Sequence, residues 1–537
     1  MKTLLPNPDA LSLSELVAQM VVVRASGFLF DHEIRYPVWE PTAAVLQHYV
    51  KDLGVGGVIL LGASAGEIAL RTQQLQTWAN IPLLICADVE EGVGQRFSGA
   101  TWFPPPMSLA EIAQKDLTLA CHYAEQMGKV TAQESLAIGL NWVLAPTVDV
   151  NNNPNNPVIN VRAFGETPEI VSALATAFIQ GAHSHRVLTT AKHFPGHGDT
   201  EIDSHLELPT IPHDRDRLDQ IELPPFKAAI AAGVDSVMSA HLQIPAFDPN
   251  YPATLSSKVL TDTLRQELGF EGLISTDAMI MGAIANNYGT EESCILAIEA
   301  GADILMMPVE PEKTIQAVCD AVESGRLSRD RIQASVERIW RAKQKVCLTP
   351  TSTEDPHAWE GSPSPALETE RLTQQLGQSN TLNAEILRQS MKVHRPNVPQ
   401  VSHGRNLIIV DDLVDCDFLT RTAPAIALPQ PFGFTQTEII DRHTPAIHTD
   451  DYAAFPTLLQ LFIRGNPFRG IAGLTDSAQF WFDFLLQKNQ LQAIVIYGSP
   501  YILDQFVPKL SQNIPYVFTF GQMQSAQAIA LQTLFSA

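Results

Sequence analysis

Short apolar runs recur along the first part of the chain, spaced widely enough for a helix between neighbours. They are MVVVRA from Met20, GGVILL from Gly56, IPLLICAD from Ile81, GLNWVLAP from Gly139, VLTTAKH from Val187, VDSVMSAH from Val234, GLISTDA from Gly272 and DILMMP from Asp303. Each has the length of a strand buried on both faces. Between several of them lie segments of helical period, such as LPPFKAAIAAG and SCILAIEAG, each closed by a glycine suited to a C-cap. Eight such strands alternating with helices predict an α/β fold, a (β/α)8 TIM-like barrel, in which reacting groups sit at the C-terminal strand ends. The third strand ends in Asp88, the fifth in Lys192 and His193, the sixth in His241 and the seventh in Asp277. Ionisable groups are costly in a core but useful at an active-site mouth.

The periodicity stops at TPTSTEDPHAWEGSPSP, Thr349 to Pro365, after the helix-like segment DRIQASVERIWRAKQKV. Proline, serine, threonine and acid in this density are linker chemistry. The division predicted is a catalytic barrel over 1–348, a linker over 349–372 and a second domain over 373–537. In the last part RNLIIVDD, PAIALP, QAIVIYGSPY and PYVFTFG read as buried strands and SAQAIALQTLFSA as a closing helix. That pattern predicts a smaller three-layer α/β domain.

Composition narrows the function classes. A length of 537 residues favours more than one domain, and 45% hydrophobic with 17% charged residues suits a globular protein with a large core. The formal net charge of −23 argues against a nucleic-acid surface, which needs a basic stripe. The six cysteines, Cys86, Cys121, Cys294, Cys319, Cys347 and Cys416, form no CxxC and read as small hydrophobes in a reducing compartment. The start, MKTLLPNPDALSLSELVAQM, lacks a long apolar run, so no secretory signal is expected, and no run elsewhere is long enough to cross a bilayer. A cytoplasmic monomer without membrane or nucleic-acid partners is the expectation.

The densest chemistry lies in AKHFPGHGDTEIDSH, Ala191 to His205. His193, His197 and His205 with Asp199 and Asp203 could ligate a metal, as in metal-dependent barrel hydrolases. Against that, no HxH or HExxH is present, and the spacings span a proline and two glycines, so no helix gathers the ligands. A third reading is a solvated surface loop.

The segment KHFPGHGDTEIDSH closely resembles the signature of the glycoside hydrolase family 3 β-N-acetylglucosaminidases, the NagZ-like enzymes. Three further segments resemble the same family in the same order. ADVEEGVGQRF from Ala87 is similar to its D-x-E-G-G-R-V-Q-R-F, NVRAFGETPEIV from Asn160 to its R-S/A-F-G stretch, and FEGLISTDAMIMGAI from Phe270 to its nucleophile segment. The first of these departs from the pattern, with Glu91 in place of a glycine and Val93 in place of an arginine, while Asp88 and Arg96 keep their places. The linker and the C-terminal α/β piece match the two-domain members.

The resemblance implies a retaining exo-β-N-acetylglucosaminidase that removes terminal β-linked N-acetylglucosamine, from peptidoglycan (muropeptide) fragments, with no cofactor and no metal. It assigns Asp277 as nucleophile, His205 as acid and base, and Asp203 as the partner that holds the His205 tautomer. By position it assigns Asp88, Arg96, Arg162, Lys192 and His193 to substrate binding. His197 and Asp199 are expected to tie the loop together, and Gly196 and Gly198 to let it move. In the related β-glucosidases the second domain supplies the acid. Here the His–Asp loop fills that role, so the second domain is expected to be structural or to border the cleft. Taken residue by residue, Asp277 could equally cap a helix over AMIMGAIA, His205 could be a surface histidine, and Lys192 and His193 could pack at a strand end. The competing functions are a β-glucosidase or β-xylosidase-like member, a metal-dependent barrel hydrolase and a weakly active sugar-binding relative.

Overall fold

Each of the eight apolar runs of the first domain forms a strand in the computed structural model, which describes residues 5–347, 369–414, 416–444, 455–465 and 476–536. The strands are β1 Val21–Ser26, β2 Gly57–Leu61, β3 Leu84–Ala87, β4 Trp142–Val143, β5 Thr190–Phe194, β6 Ser236–Ser239, β7 Leu273–Ser275 and β8 Leu305–Met306. All ladders between them are parallel. One sheet runs β4-β3-β2-β1-β8 and the other β5-β6-β7. Single bridges, Trp142 with Leu188, Thr147 with Lys192 and Ser275 with Ile304, join the two sheets into a ring. The register pairs Val22 with Gly57, Gly57 with Leu84 and Cys86 with Trp142. Gly57 accepts no side chain, because a Cβ there would lie 2.5 Å from the Leu84 carbonyl oxygen. Helices such as Leu117–Ala137, Pro168–Ala182 and Arg329–Cys347 surround the ring.

Most of the predicted linker, 349–368, lies outside the described residues, and a helix runs over Thr369–Gln375. The second domain is built on a sheet of order β11-β10-β12-β13-β14-β9 among the described residues. Its strands are β9 Lys392–His394, β10 Gly404–Val410, β11 Phe434–Ile440, β12 Thr457–Ile463, β13 Leu491–Gly498 and β14 Tyr516–Thr519, parallel except for β9. Leu407 and Ile409 of β10 enter one buried cluster with the helix Asp476–Gln487, whereas Ile408 and Val410 enter another with the helix Gln524–Phe535. A sheet covered on both faces gives the three layers, and it explains why β10 reads as an unbroken apolar run.

One reading of this domain is corrected, and three strands were not read. PAIALP is not a strand but a short helix, Pro424–Ala427, with proline at its first turn. Proline cannot donate to a ladder but is preset for a helix start. β9, β11 and β12 carry no counterpart in the sequence reading.

The domains share a core. Met107, Val158, Ile159, Val161 and Ala163 of the barrel pack in one buried cluster with Leu459, Trp481 and Phe506 of the second domain. Asn151 donates to the Tyr501 hydroxyl at 2.8 Å, and that hydroxyl donates to Glu166 at 2.6 Å. Among the described residues no helix is long and apolar enough to cross a membrane.

Candidate active site

The mouth of the barrel is assembled from the ends of β3, β4, β5 and β7. β5 is buried along its length, so Lys192 and His193 are aimed by a rigid element. The Lys192 ammonium, 1% exposed, donates to Asp88 Oδ1 at 2.7 Å and lies 2.6 Å from Glu90 Oε1. Glu90 is also gripped by the Arg162 guanidinium, Nε to Oε2 at 2.8 Å and Nη2 to Oε1 at 2.7 Å. Two carboxylates and two cations thus neutralise each other at a largely buried site, the condition under which buried charge is tolerated. Burial pushes the Glu90 and Asp88 carboxyls up, but Arg162 and Lys192 outweigh it for Glu90, and Lys192 and Arg96 for Asp88, so both fall below the ordinary range. Burial likewise lowers Lys192, and the two acids more than restore it. Asp88, 28% exposed, is the member of this cluster that reaches open space and can accept from a sugar hydroxyl. Arg96 is exposed and donates from Nε to the Asp88 carbonyl at 3.1 Å, so it braces the turn.

His193 leans on Asp149, which follows β4. Asp149 accepts from the His193 ring at Nδ1 (2.8 Å), from the His193 main-chain N–H and from the His197 main-chain N–H (2.7 Å). That places the His193 proton on Nδ1. Burial raises the Asp149 carboxyl, and the two histidines bring it below its usual value.

Asp277 follows β7, its main-chain N–H donating to the Ser239 carbonyl at 3.2 Å. It caps no helix: the next helix begins at Gly282 and its N-cap is Met281. Burial pushes its carboxyl up, but the neighbouring His193, His241 and His205 rings hold it at about 2. A carboxyl held that low is charged near neutral pH, the state that a nucleophilic role would require. His241 is buried and its Nε2 donates to the Ala278 carbonyl at 3.0 Å, so it anchors the turn that carries Asp277.

The loop after β5 brings Asp203 and His205 together despite their i, i+2 spacing. Asp203 Oδ1 accepts from the His205 main-chain N–H at 2.9 Å and meets Nδ1 at 2.7 Å. Nδ1 is thus the protonated position that Asp203 orients, which leaves the lone pair of the neutral ring on Nε2. The His205 carbonyl accepts from the Gly282 N–H at 3.2 Å, docking this loop on the one that bears Asp277. Deeper in the loop, the buried His197 bonds Thr200 at 3.0 Å and Ser204 at 2.9 Å. Asp199 bonds His213 at 2.7 Å. Gly196 has φ +134°, and a Cβ on Gly198 would lie 1.7 Å from the Val150 carbonyl oxygen. Close packing, as much as backbone freedom, requires glycine there. Among the described residues no group of three or more histidine, cysteine, aspartate or glutamate side chains is placed to hold a metal ion.

All eight residues singled out from the sequence lie in this region. Sequence reading missed Glu90 and Asp149. Glu90 was within the quoted ADVEEGVGQRF, and Asp149 is the lone acid at the end of the fourth apolar run, in LAPTVDV. The strand-end rule applied to the other strands would have found it.

Comparison with known proteins gives a consistent result. The family model described as the glycosyl hydrolase family 3 N terminal domain matches residues 12–342, and that described as the bacterial glycosyl hydrolase family 3 C-terminal domain matches 397–536. Beta-hexosaminidase A of Pseudoalteromonas piscicida is 34% identical over 350 residues, which are 59% of this chain and 58% of that protein. This chain therefore spans little more than half of that relative's length. A beta-hexosaminidase of Nitrosomonas eutropha is 35% identical over 312 residues, 54% of this chain and 89% of that one. Among solved structures, a glycoside hydrolase family 3 beta-N-acetylglucosaminidase from Paenibacillus sp. matches with a TM-score of 0.76 at 29% identity, covering 98% of this chain and 97% of its own.

Proposed function

The chain belongs to glycosyl hydrolase family 3, and we propose that it acts as a retaining exo-β-N-acetylglucosaminidase. The observation that carries this reading is the docking of the loop bearing His205, whose Nδ1 is held 2.7 Å from the buried Asp203, on the loop that follows Asp277. In the first step the Asp277 carboxylate attacks the anomeric carbon while His205 Nε2 gives its proton to the departing glycosidic oxygen. A glycosyl ester on Asp277 results. In the second step the now neutral His205 takes a proton from water, the water oxygen bonds to the anomeric carbon, and the ester bond returns its electrons to Asp277. Asp203 stabilises the imidazolium and keeps its orientation throughout. Asp88 accepts from sugar hydroxyls, Lys192 and His193 border the sugar, and Arg162 holds the Glu90 side of the site.

The names of the curated relatives support N-acetylhexosamine as the sugar. Peptidoglycan fragments are the natural substrates that the NagZ-like segments suggest. Unpaired cysteines among the described residues are compatible with action in the cytoplasm. A panel of aryl β-glycosides tests the sugar. N-Acetylglucosaminide is expected to exceed glucoside and xyloside by at least about tenfold in kcat/KM. A preference for glucoside or xyloside contradicts the assignment.

A further inference from the structure

The turn after β3 carries two adjacent buried glutamates that face opposite ways. Glu90 points to Arg162 and Lys192 in the barrel mouth. Glu91, 0% exposed, points to the second domain, where Arg464 just beyond β12 donates from Nη2 at 2.6 Å and from Nη1 at 3.3 Å. The Trp102 indole N–H completes the carboxylate's partners at 2.9 Å. The main chain of Glu91 is held as well, its N–H donating to Gln95 Oε1 at 3.0 Å and its carbonyl accepting from the Phe103 N–H at 2.7 Å. This is also the position at which the chain carries an acid where the segment it resembles has a glycine.

The charges explain why that acid needs a partner from elsewhere. Asp88, Glu90 and Glu91 place three carboxylates within four residues, and the barrel cations that bond their side chains at this turn are the buried Lys192 and the largely buried Arg162, 14% exposed. Without Arg464, Glu91 would compete with Asp88 and Glu90 for Lys192 and Arg162, and Lys192 is the group that fixes Asp88. A buried carboxylate stripped of its partner is strongly unfavourable and drives the chain to rearrange. Arg464 supplies the missing charge through a fork matched to a carboxylate.

We propose that Arg464 is a positioning residue of the sugar site, through which the second domain sets the place of Asp88 and Glu90. This rests on the glycosidase reading of the barrel mouth. The test compares wild type, Arg464→Met, Arg464→Lys and the double variant Glu91→Gln/Arg464→Met on the aryl glycoside that wild type cleaves best. Thermal midpoints are recorded alongside. Asp88 binds the sugar alike in ground and transition states, so Arg464→Met is expected to raise KM roughly tenfold with kcat changed less than about threefold. The double variant removes the orphaned charge together with its partner and is expected to return KM to within about threefold of wild type. Arg464→Lys keeps the charge but loses the fork, and a KM rise of about threefold is expected. It carries the test if Arg464→Met does not fold. A lowered midpoint with KM unchanged in every folded variant shows a purely structural pair and overturns the proposal. A double variant no better than Arg464→Met also overturns it. If wild type cleaves none of the aryl β-glycosides, the glycosidase reading itself fails, and this proposal falls with it.

Discussion

Asp203 is 1% exposed and His205 18%, the difference that the roles proposed for them, a holder and a donor of a proton, require. A buried acid facing one imidazole nitrogen fixes the tautomer, and the more open ring can then reach a glycosidic oxygen. His205→Ala is expected to slow substrates with poor leaving groups by about 10²–10⁴-fold and to spare those with good ones, because only the former need protonation. Asp203→Ala is expected to follow the same trend more mildly. A plot of log kcat/KM against leaving-group pKa checks both, and equal losses across the series would remove His205 from the acid role. At this scale the sequence was readable where chemistry-bearing residues cluster in one segment. Asp149 shows the limit. Its hydrogen bonds come from β5 and the loop beyond, partners more than forty residues away, so its strand-end position is legible locally but its role as the brace of His193 is not.

In the loop after β5 the buried His197 ties Thr200 to Ser204. Burial is the main cause that lowers this ring to about 4, well below the ordinary value of a histidine. The unfolded chain therefore takes up the proton first as pH falls. Stability from this site is full above about pH 6.5 and is lost progressively as pH falls through about 4, to the extent of about 3 kcal/mol. Thermal midpoints measured from pH 7 to pH 4 should fall less steeply for His197→Gln than for wild type. Parallel slopes would mean that the ring does not carry this linkage. Among strands, the eight barrel runs could be read because burial on both faces leaves an unbroken apolar signature. β12 hides a polar residue in its middle, Gln460, whose amide is satisfied internally by Asn406 and the Ala425 carbonyl and by the Tyr497 hydroxyl. β11 lies at an edge with exposed and half-buried positions along most of its length, so its sequence, FTQTEII, has no clear period.

For the whole molecule, the strands before residue 347 and those after residue 391 form separate sheets, yet the two units are not independent bodies. Val158, Ile159 and Val161 of the barrel belong to the same buried cluster as the sheet of the second domain. Those residues lead directly into Arg162, so the second domain packs against the segment that positions a site residue. Separation would expose this apolar face to water. Calorimetric unfolding is accordingly expected as a single transition for the intact chain, and two resolved transitions would show that the shared cluster does not couple the domains. This coupling was invisible in the sequence, since VINVRAFG reads as a catalytic-domain motif and nothing in it names a partner more than 290 residues away.

The role of Asp277 decides whether this arrangement is a retaining glycosidase at all. A ring-fluorinated N-acetylglucosaminyl donor with a good leaving group should form the glycosyl ester quickly and hydrolyse it slowly. Intact mass followed by peptide mapping reads the outcome. One glycosyl unit is expected on the peptide containing Asp277, and none on Asp277→Asn, whose turnover should fall by at least about 10³-fold with folding unchanged. A label on any other carboxylate, or steady turnover with inverted product and no label, would show that Asp277 is not the nucleophile.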